Sequence, residues 1–281
     1  GNTANSFSKS LFGRRDADGF VLDGFRPFTS GSHIADYLQV AWEDRDTNAR
    51  SFAAIPANRD GIRIENDWDG FGQRQTGSGR VTYTGVRIHR NEVFDHKPDG
   101  GRPYQTVTPF LQQSTLLNVF IGSAQGALIT ARDYTRETSR PWLHSGVEKH
   151  TDDPWVRRVY GELYTRVKAA TLLADEAAAT LDRVWSRGRD LTPQERGEAA
   201  VVIAGANAHA GEVALDVTSR IFEVMGARSA TIANGYDRFW RNVRIHTLHN
   251  PAEYKTRNVG NWFLTGVHRS EEHTSELQSH L

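Results

Sequence analysis

The chain has 281 residues, enough for one large domain or for two ordinary ones with hydrophobic cores. Its 34 basic and 34 acidic residues leave no net charge, so the sequence does not favour nucleic acid or an anionic membrane as a partner. It contains no cysteine, which excludes disulfides, thiolate chemistry and cysteine-ligated metal sites. We find no apolar run near the ~20 residues that span a bilayer and no basic-then-apolar leader, and therefore expect a cytoplasmic protein.

Residues 16–95 show the short alternating apolar runs of β-strands. The segment DGFVLDGFRPF has two such runs around Asp23 and Gly24, which predicts a hairpin turn there because both residue types tolerate positive φ. The runs YLQVAWED, SFAAIPA, GIRIEND and RVTYTGVRIHR follow, with turn residues between them. This pattern predicts an antiparallel sheet, a sandwich or a barrel.

A stretch rich in proline, glycine and charge, from about Asp95 to Tyr104, marks the predicted domain boundary. Beyond it the apolar period becomes helical: Leu117, Phe120 and Ile121 lie on one stripe. The same period continues through later segments, so we expect a bundle of long helices. The predicted domains are therefore residues 1–98, rich in strands, and residues 99–268, helical.

Two helix ends carry recognisable capping signals. Thr192 is a predicted N-cap whose capping box is closed by Glu195, and that helix should stop at Gly226. A final helix is predicted to begin with Asn250 as its N-cap, followed by Pro251.

Both ends of the chain look unnatural. It opens without methionine in what resembles the middle of a fold, and residues 269–281, RSEEHTSELQSHL, match the in-frame translation of a common sequencing adapter. We therefore expect a fragment, with residues 269–281 an artefact.

Two glycine-rich loops could receive a flat ligand. In residues 66–79, NDWDGFGQRQTGSG, small residues surround Trp68, so that a backbone could approach closely and an indole could stack. In residues 28–32, FTSGS, hydroxyls flank a glycine after Phe28, and Ser30 is one of them. The alternatives are an ordinary loop with a structural tryptophan and a plain turn.

Charged and titratable pairs suggest two further sites. Arg136 and Arg140 are one helical turn apart at a predicted helix end. They could form a phosphate clamp, or they could be a solvated pair. His246 and His249, with Asn250 directly behind, would share one face of a helix. Two histidines without nearby carboxylates make a poor metal site, so we expect no metal. Proton transfer and satisfied structural histidines remain the two interpretations.

In this order along the chain, the motifs resemble the acyl-CoA dehydrogenase superfamily. The segment GYDRFWRNVRIHTLHNPAEYK resembles its flavin-dependent monooxygenase branch, the dibenzothiophene monooxygenases of aromatic desulfurisation and related sulfur-acquisition oxygenases. The resemblance covers nearly all of residues 1–266. It implies an α+β multidomain fold: an acyl-CoA dehydrogenase-like middle β-barrel, then a C-terminal four-helix bundle that drives homotetramer formation, with the family's N-terminal helical domain missing.

The resemblance also implies a flavin site. Reduced FMN, delivered by a separate flavin reductase, would be the cofactor, with FAD as the other possibility. Arg140 would meet the flavin phosphate, and Phe28 would wall the substrate pocket together with Trp68. The remaining implied contacts are Asn2, Ser30 and Trp68 along the flavin, and His246, His249 and Asn250 over its reacting edge. The family has aspartate where this chain has Asn250, which removes a charge beside His249.

The implied function is oxygenation of a small, sulfur-containing substrate through a C4a-hydroperoxyflavin, with His249 as proton donor and His246 holding the peroxide. An aromatic thioether, an alkyl sulfide or sulfone, or an amine would each fit. We find no YEG-like glutamate segment of the kind that acyl-CoA dehydrogenases use as their base. An FAD-dependent acyl-CoA dehydrogenase and an inactive fragment that binds no flavin remain the alternatives.

Overall fold

The computed structural model describes residues 10–94 and 103–268, and these two stretches form separate compact units. The predicted boundary falls between them, so the bounds 1–98 and 99–268 stay predictions. Asn2 and the adapter-like segment 269–281 lie outside the described residues.

The first unit is built on a seven-stranded sheet with the order β5-β6-β2-β1-β3-β4-β7. The strands β1 and β3 are parallel, and the other neighbouring pairs are antiparallel. The sheet is therefore mixed, whereas the sequence predicted an antiparallel one. The strands are β1 (Leu11–Asp16), β2 (Gly19–Arg26), β3 (Tyr37–Asp44), β4 (Arg50–Pro56), β5 (Ile62–Ile64), β6 (Val81–His89) and β7 (Val93–Phe94).

The predicted hairpin turn at Asp23 and Gly24 is wrong. The turn between β1 and β2 consists of Ala17 and Asp18, and Asp23 and Gly24 lie inside β2. The pairing of β2 with β6 shifts register beside Gly24, which has φ +132°. A Cβ at Gly24 would lie 2.1 Å from the carbonyl oxygen of Ser10. The dipeptide therefore forms a bulge within a strand, a position that needs the same conformational freedom as a turn.

The core of this unit comes from the alternating side chains that point to one face of the strands. Trp42 is fully buried, and Phe20 packs against its ring edge-on at a centroid distance of 5.2 Å. The other buried hydrophobic residues are Leu11, Leu22, Leu38, Val40, Ala53, Ile55, Val81, Tyr83, Val86 and Ile88.

The second unit contains five α-helices among the described residues. The long helices α1, α2 and α3 pack against one another, and α3 also contacts α4 and α5. The predicted stripe is confirmed, because Leu117, Phe120 and Ile121 are all buried in the common core. The helices are α1 (Thr108–Glu137), α2 (Pro154–Arg187), α3 (Pro193–Met225), α4 (Asp237–Thr247) and α5 (Ala252–Thr265).

The capping signals at α3 are confirmed. The Thr192 side chain accepts a hydrogen bond from the backbone N–H of Glu195, and the Glu195 carboxylate accepts one from the backbone N–H of Thr192. At its other end, α3 stops at Met225 and Gly226 follows with φ 83°. Both ends of the helix are therefore fixed by local sequence.

One helical segment, Pro103–Glu137, is long and apolar enough to cross a membrane by length and composition, which the sequence analysis did not anticipate. Its buried side chains pack in the core with α2 and α3. A core helix passes the same test, so the length of this segment is weak evidence for a span.

Candidate functional site

A cleft of about 890 Å³ is formed by residues of α1, α3, α4 and α5 in the helical unit. Its apolar wall includes Leu116, Phe120 and Leu215. A pocket with an apolar wall and a few convergent polar groups is the usual form of a small-molecule site. The polar groups discussed below are Asn207, His246, Asn250 and Lys255, all of which line the cleft.

The two histidines lie where α4 ends. Thr247 is the last residue of α4, and its hydroxyl donates to the carbonyl oxygen of Arg244 at 2.9 Å. His246 is in the last turn, and its carbonyl oxygen accepts a hydrogen bond of 3.1 Å from the backbone N–H of His249. His249 therefore lies on the corner between α4 and α5, residues 248–251. The prediction that both histidines share a helical face is wrong.

Proline explains the corner. Pro251 has φ −57° and ψ 123° and immediately precedes α5, so it serves as the N-cap of that helix. A proline disfavours helical backbone at the residue before it, here Asn250. Asn250 does not cap α5 with its side chain, which corrects the predicted helix start by one residue. Instead it lines the cleft beside His246.

Burial sets the charge of both imidazoles. Desolvation lowers the pKa of His246 below its usual value, and it lowers the pKa of His249 as well. The positive charges of Lys255 and His246 lower the pKa of His249 further. His249 Nδ1 is buried and has no hydrogen-bond partner among the described residues. The neutral imidazole is thus the favoured form of both histidines at pH 7.

A partly buried chain of hydrogen-bonded polar groups lies beside the histidines, and the sequence analysis missed it. Lys255 Nζ donates to Asn207 Oδ1 at 2.6 Å, and Asn207 Nδ2 donates to the carbonyl oxygen of Gln113 at 2.7 Å. Asn207 is only 2% exposed, and burial lowers the pKa of Lys255 to about 8. The available signal was an asparagine inside the apolar stretch AVVIAGANAHA, since buried amides need partners.

In the sheet unit, the two glycine-rich loops are joined to each other. Backbone hydrogen bonds of 2.9 Å run from Thr29 N to the carbonyl oxygen of Gly79 and from Gly31 N to that of Thr76. The hydroxyls form a chain in which Ser30 lies 2.7 Å from Ser78, and Ser78 lies 2.6 Å from Thr76. Loops 28–32 and 66–79 are therefore one structural feature, although the sequence separates them.

Trp68 and Phe28 meet on this feature. Their rings pack edge-on with centroids 6.1 Å apart, and Phe28 is half-exposed. The Trp68 Nε1–H donates to the carbonyl oxygen of Gln73 at 2.9 Å, which fixes the indole and leaves only its rings for contacts. Phe28 and Gln73 have φ of 54° and 50°, an uncommon conformation for residues other than glycine that clusters at functional sites.

The predicted arginine pair is not on one helix. Arg136 is in the last turn of α1, which ends at Glu137, and Arg140 lies beyond that end and is exposed. Arg136 lines a pocket of about 230 Å³ together with Arg132 and Arg157. Arg140 is not part of that lining, so a clamp formed by Arg136 and Arg140 is not supported. Among the described residues no group of three or more histidine, aspartate or glutamate side chains could hold a metal ion.

Comparison of the sequence with known proteins identifies a family and several relatives. Residues 115–253 match the family described as acyl-CoA dehydrogenase, C-terminal domain. Dibenzothiophene monooxygenase of Mycolicibacterium goodii is 41% identical over 264 residues, which cover 89% of this chain and 62% of that protein. The probable FMNH2-dependent monooxygenase SfnC of Pseudomonas putida is 39% identical, covering 86% of this chain and 62% of that protein.

A solved structure agrees with these relatives. The FMN-bound structure of TdsC, from Paenibacillus sp. A11-2, superposes with a TM-score of 0.89 at 37% identity, covering 96% of this chain and 70% of that one. Of the two curated relatives above, the chain spans less than two thirds of the length. It belongs to the acyl-CoA dehydrogenase superfamily and, within it, to the branch that contains the dibenzothiophene monooxygenases.

Proposed function

We propose that this protein acts in a two-component flavin-dependent monooxygenase system, taking reduced FMN from a separate flavin reductase and oxygenating a small, sulfur-containing substrate with O2. The observation that carries the proposal is the corner at residues 248–251. His249 lies on this corner and His246 in the helical turn before it, and both half-buried imidazoles have a lowered pKa. His246 and Asn250 line an apolar-walled cleft, in a chain 41% identical to a dibenzothiophene monooxygenase.

The residues present fit a flavin. The indole of Trp68 is held by its own N–H bond and offers an aromatic surface for stacking, beside half-exposed Phe28. Ser30 ends a chain of hydroxyls that can donate to or accept from a heterocycle. Arg140 is exposed and makes no hydrogen bond or ion pair within the part of the chain that is described, so its guanidinium is available for a phosphate. We propose Ser30, Trp68, Arg140 and Asn2 as flavin contacts. Phe28 and Trp68 are the proposed walls of the substrate pocket.

Reduced flavin, when bound, supplies the two electrons that let O2 deliver one oxygen atom to the substrate and release the other in water. The protein's part is to hold the reactants, exclude water and move protons. The apolar wall of Leu116, Phe120 and Leu215 keeps water away from the reacting oxygen. Asn250 presents a neutral amide in place of a carboxylate, so it leaves the imidazoles without a stabilising negative charge.

His249 is the proposed proton donor to the oxygen that leaves as water, and His246 the proposed hydrogen-bond donor that orients the reacting oxygen. A lowered pKa makes protonated His249 a stronger acid, at the cost of a smaller protonated fraction at pH 7. A rate that depends on protonated His249 should therefore fall as pH rises through a value below 6.5, the ordinary pKa of histidine. His249 Nδ1, buried and without a partner in the described residues, fits a role toward a ligand.

We extend the proposal to the whole protein. The first unit would form the middle β-barrel, and the second would form a four-helix bundle. The protein would assemble as a homotetramer in the cytoplasm. Support for assembly comes from large apolar side chains that are exposed on the helical unit. These include Trp142, Leu143, Leu172, Phe263 and Leu264. Light scattering of the purified chain should give four copies per particle.

The proposal is tested by turnover with reduced FMN regenerated by an added flavin reductase, isotopically labelled O2 and dibenzothiophene or a dialkyl sulfide. We expect labelled product and little H2O2. His249→Ala should lower oxygenation by about 10²–10⁴-fold, the usual contribution of a general acid, while FMN binding is unchanged. His144→Ala, in an exposed loop beyond α1, is the matched control.

Two outcomes would contradict the proposal. Oxygenation by His249→Ala within about threefold of the wild type would remove the proton-donor assignment. Reduction of bound flavin by an acyl-CoA without any reductase would indicate a dehydrogenase instead. Titration with FAD alongside FMN identifies the preferred flavin.

A further inference from the structure

Lys255 is a half-buried cation whose positive charge has no counterion among the described residues. Its ammonium makes one hydrogen bond, to the neutral amide oxygen of Asn207, and no carboxylate of the described chain lies within ion-pair distance. An ammonium carries three N–H donors, so two are left after this bond. Buried charges are ordinarily paired, because desolvation makes an unpaired one costly.

The amide that holds Lys255 is itself fixed. Asn207 is 2% exposed, and its own N–H group is committed to the backbone of Gln113 in α1. The amide oxygen is therefore oriented toward Lys255 and cannot rotate without losing a hydrogen bond. This arrangement holds the Lys255 ammonium at one place in the wall of the cleft.

The surroundings do not neutralise that charge. On the same cleft, Glu212 of α3 and Glu253 of α5 are exposed, where water screens their charges. Four further residues add positive or titratable groups. The charged and titratable side chains that line the cleft besides Lys255 are His209, Glu212, Arg244, His246, Glu253 and Arg257.

We propose that this cleft binds a small molecule with an apolar body and one acidic oxyanion group, such as a sulfonate, sulfinate or carboxylate, with an oxyanion oxygen accepting a hydrogen bond from Lys255. The apolar body contacts the wall that contains Leu116, Phe120 and Leu215. As an assignment of substrate class this rests on the proposed function, because His246 and Asn250 line the same cleft. As an assignment of a binding site it depends only on the geometry around Lys255.

The ligand pair that tests the proposal is benzenesulfonate and methyl phenyl sulfone. The two have nearly the same shape, and only the first is charged. Calorimetric titration of the full chain without flavin should show benzenesulfonate binding more tightly. Lys255→Met should weaken benzenesulfonate about 10–100-fold, the value of a charge-assisted hydrogen bond, and should leave the sulfone within about threefold. Lys168→Met, exposed on α2, is the matched control and should change neither.

A second measurement keeps the test decisive if Lys255→Met does not fold. The pKa of Lys255, followed by NMR of the isotopically labelled wild-type side chain, should rise from about 8 when benzenesulfonate is added, because a bound anion favours the charged form. Equal affinity of the folded Lys255→Met variant and the wild type for benzenesulfonate would overturn the proposal. So would a wild type that prefers the sulfone, or a Lys255 pKa that does not move. None of these results depends on flavin, so a chain that binds the sulfonate yet never oxygenates would overturn only the proposed function.

Discussion

Removing the half-buried charge of Lys255 should change how the stability of the protein depends on pH. Burial lowers the pKa of Lys255 from 10.5 to about 8. Between these values the unfolded chain binds more protons than the folded chain, so the free energy of unfolding rises as pH increases through this window. At about 1.4 kcal/mol per pKa unit, the rise contributed by Lys255 is about 3 kcal/mol. Below about pH 8 the full penalty of holding the ammonium in the cleft is present.

Urea unfolding of the wild type and of Lys255→Met, at several values from about pH 7.5 to 10.5, measures this contribution. The difference in the free energy of unfolding between the two proteins should shift by about 3 kcal/mol across the window, in favour of the wild type at high pH. Other titrating groups cancel in the difference, as does the constant cost of leaving Asn207 Oδ1 without its donor. Lys168→Met should run parallel to the wild type. Parallel curves for Lys255→Met as well would refute the reasoning, because Lys255 would then titrate alike in both states.

Three further changes test other parts of the structure. Gly70→Ala would place a Cβ 2.3 Å from the indole of Trp68, so the ring must move. We therefore expect the affinity for FMN, measured by fluorescence titration, to fall about tenfold or more. The control Gly161→Ala, in open space on α2, should bind FMN normally. Thr192→Ala removes the capping box of α3 and should lower the free energy of unfolding by about 1 kcal/mol in urea, whereas Thr192→Ser should retain most of it. Because the pKa of His249 is lowered in the folded state, the unfolded state binds more protons than the folded state below pH 6.5. The wild type should therefore lose stability as pH falls through that region, and His249→Asn should lose less. An identical acid dependence of the two proteins would contradict the burial of this imidazole.

The sequence predicted best what is decided within a few residues. The capping box at Thr192 and the stop at Gly226 are local hydrogen-bonding and backbone effects, and both are confirmed. The prediction of a turn at Asp23 and Gly24 was wrong for a related reason. A tight turn and a bulge use the same permissive residues, and only pairing with β6, far along the chain, decides between them. The local sequence therefore predicted a position with positive φ, but it did not predict which strand would pair with it.

The site required longer-range information. Loops 28–32 and 66–79 were singled out separately, and their union through Ser30 and Ser78, 48 residues apart, could not be read from either loop. Lys255 and Asn207 are likewise 48 residues apart and hydrogen-bonded. Each alone resembles an ordinary helical residue. What makes the pair notable is burial, which follows from the packing of α5 on α3 and leaves no trace in the spacing of either residue.

The corner at residues 248–251 links fold to chemistry more directly than a helical pair would. Had His249 continued α4, its ring would have been oriented by the helix. Pro251 ends the helix instead, and a single tight turn from His246 leaves the ring of His249 half-buried and near Lys255 and His246, whose charges lower its pKa. Both effects disfavour the imidazolium, so a proton on His249 is held weakly and given up readily. The aspartate expected of the family after this histidine would oppose that tendency, and Asn250 does not. The identity of Asn250 and the unpaired charge of Lys255 therefore act in the same direction: neither stabilises a protonated His249, and Lys255 places a positive charge on the cleft, which suits a ligand that brings the negative charge itself.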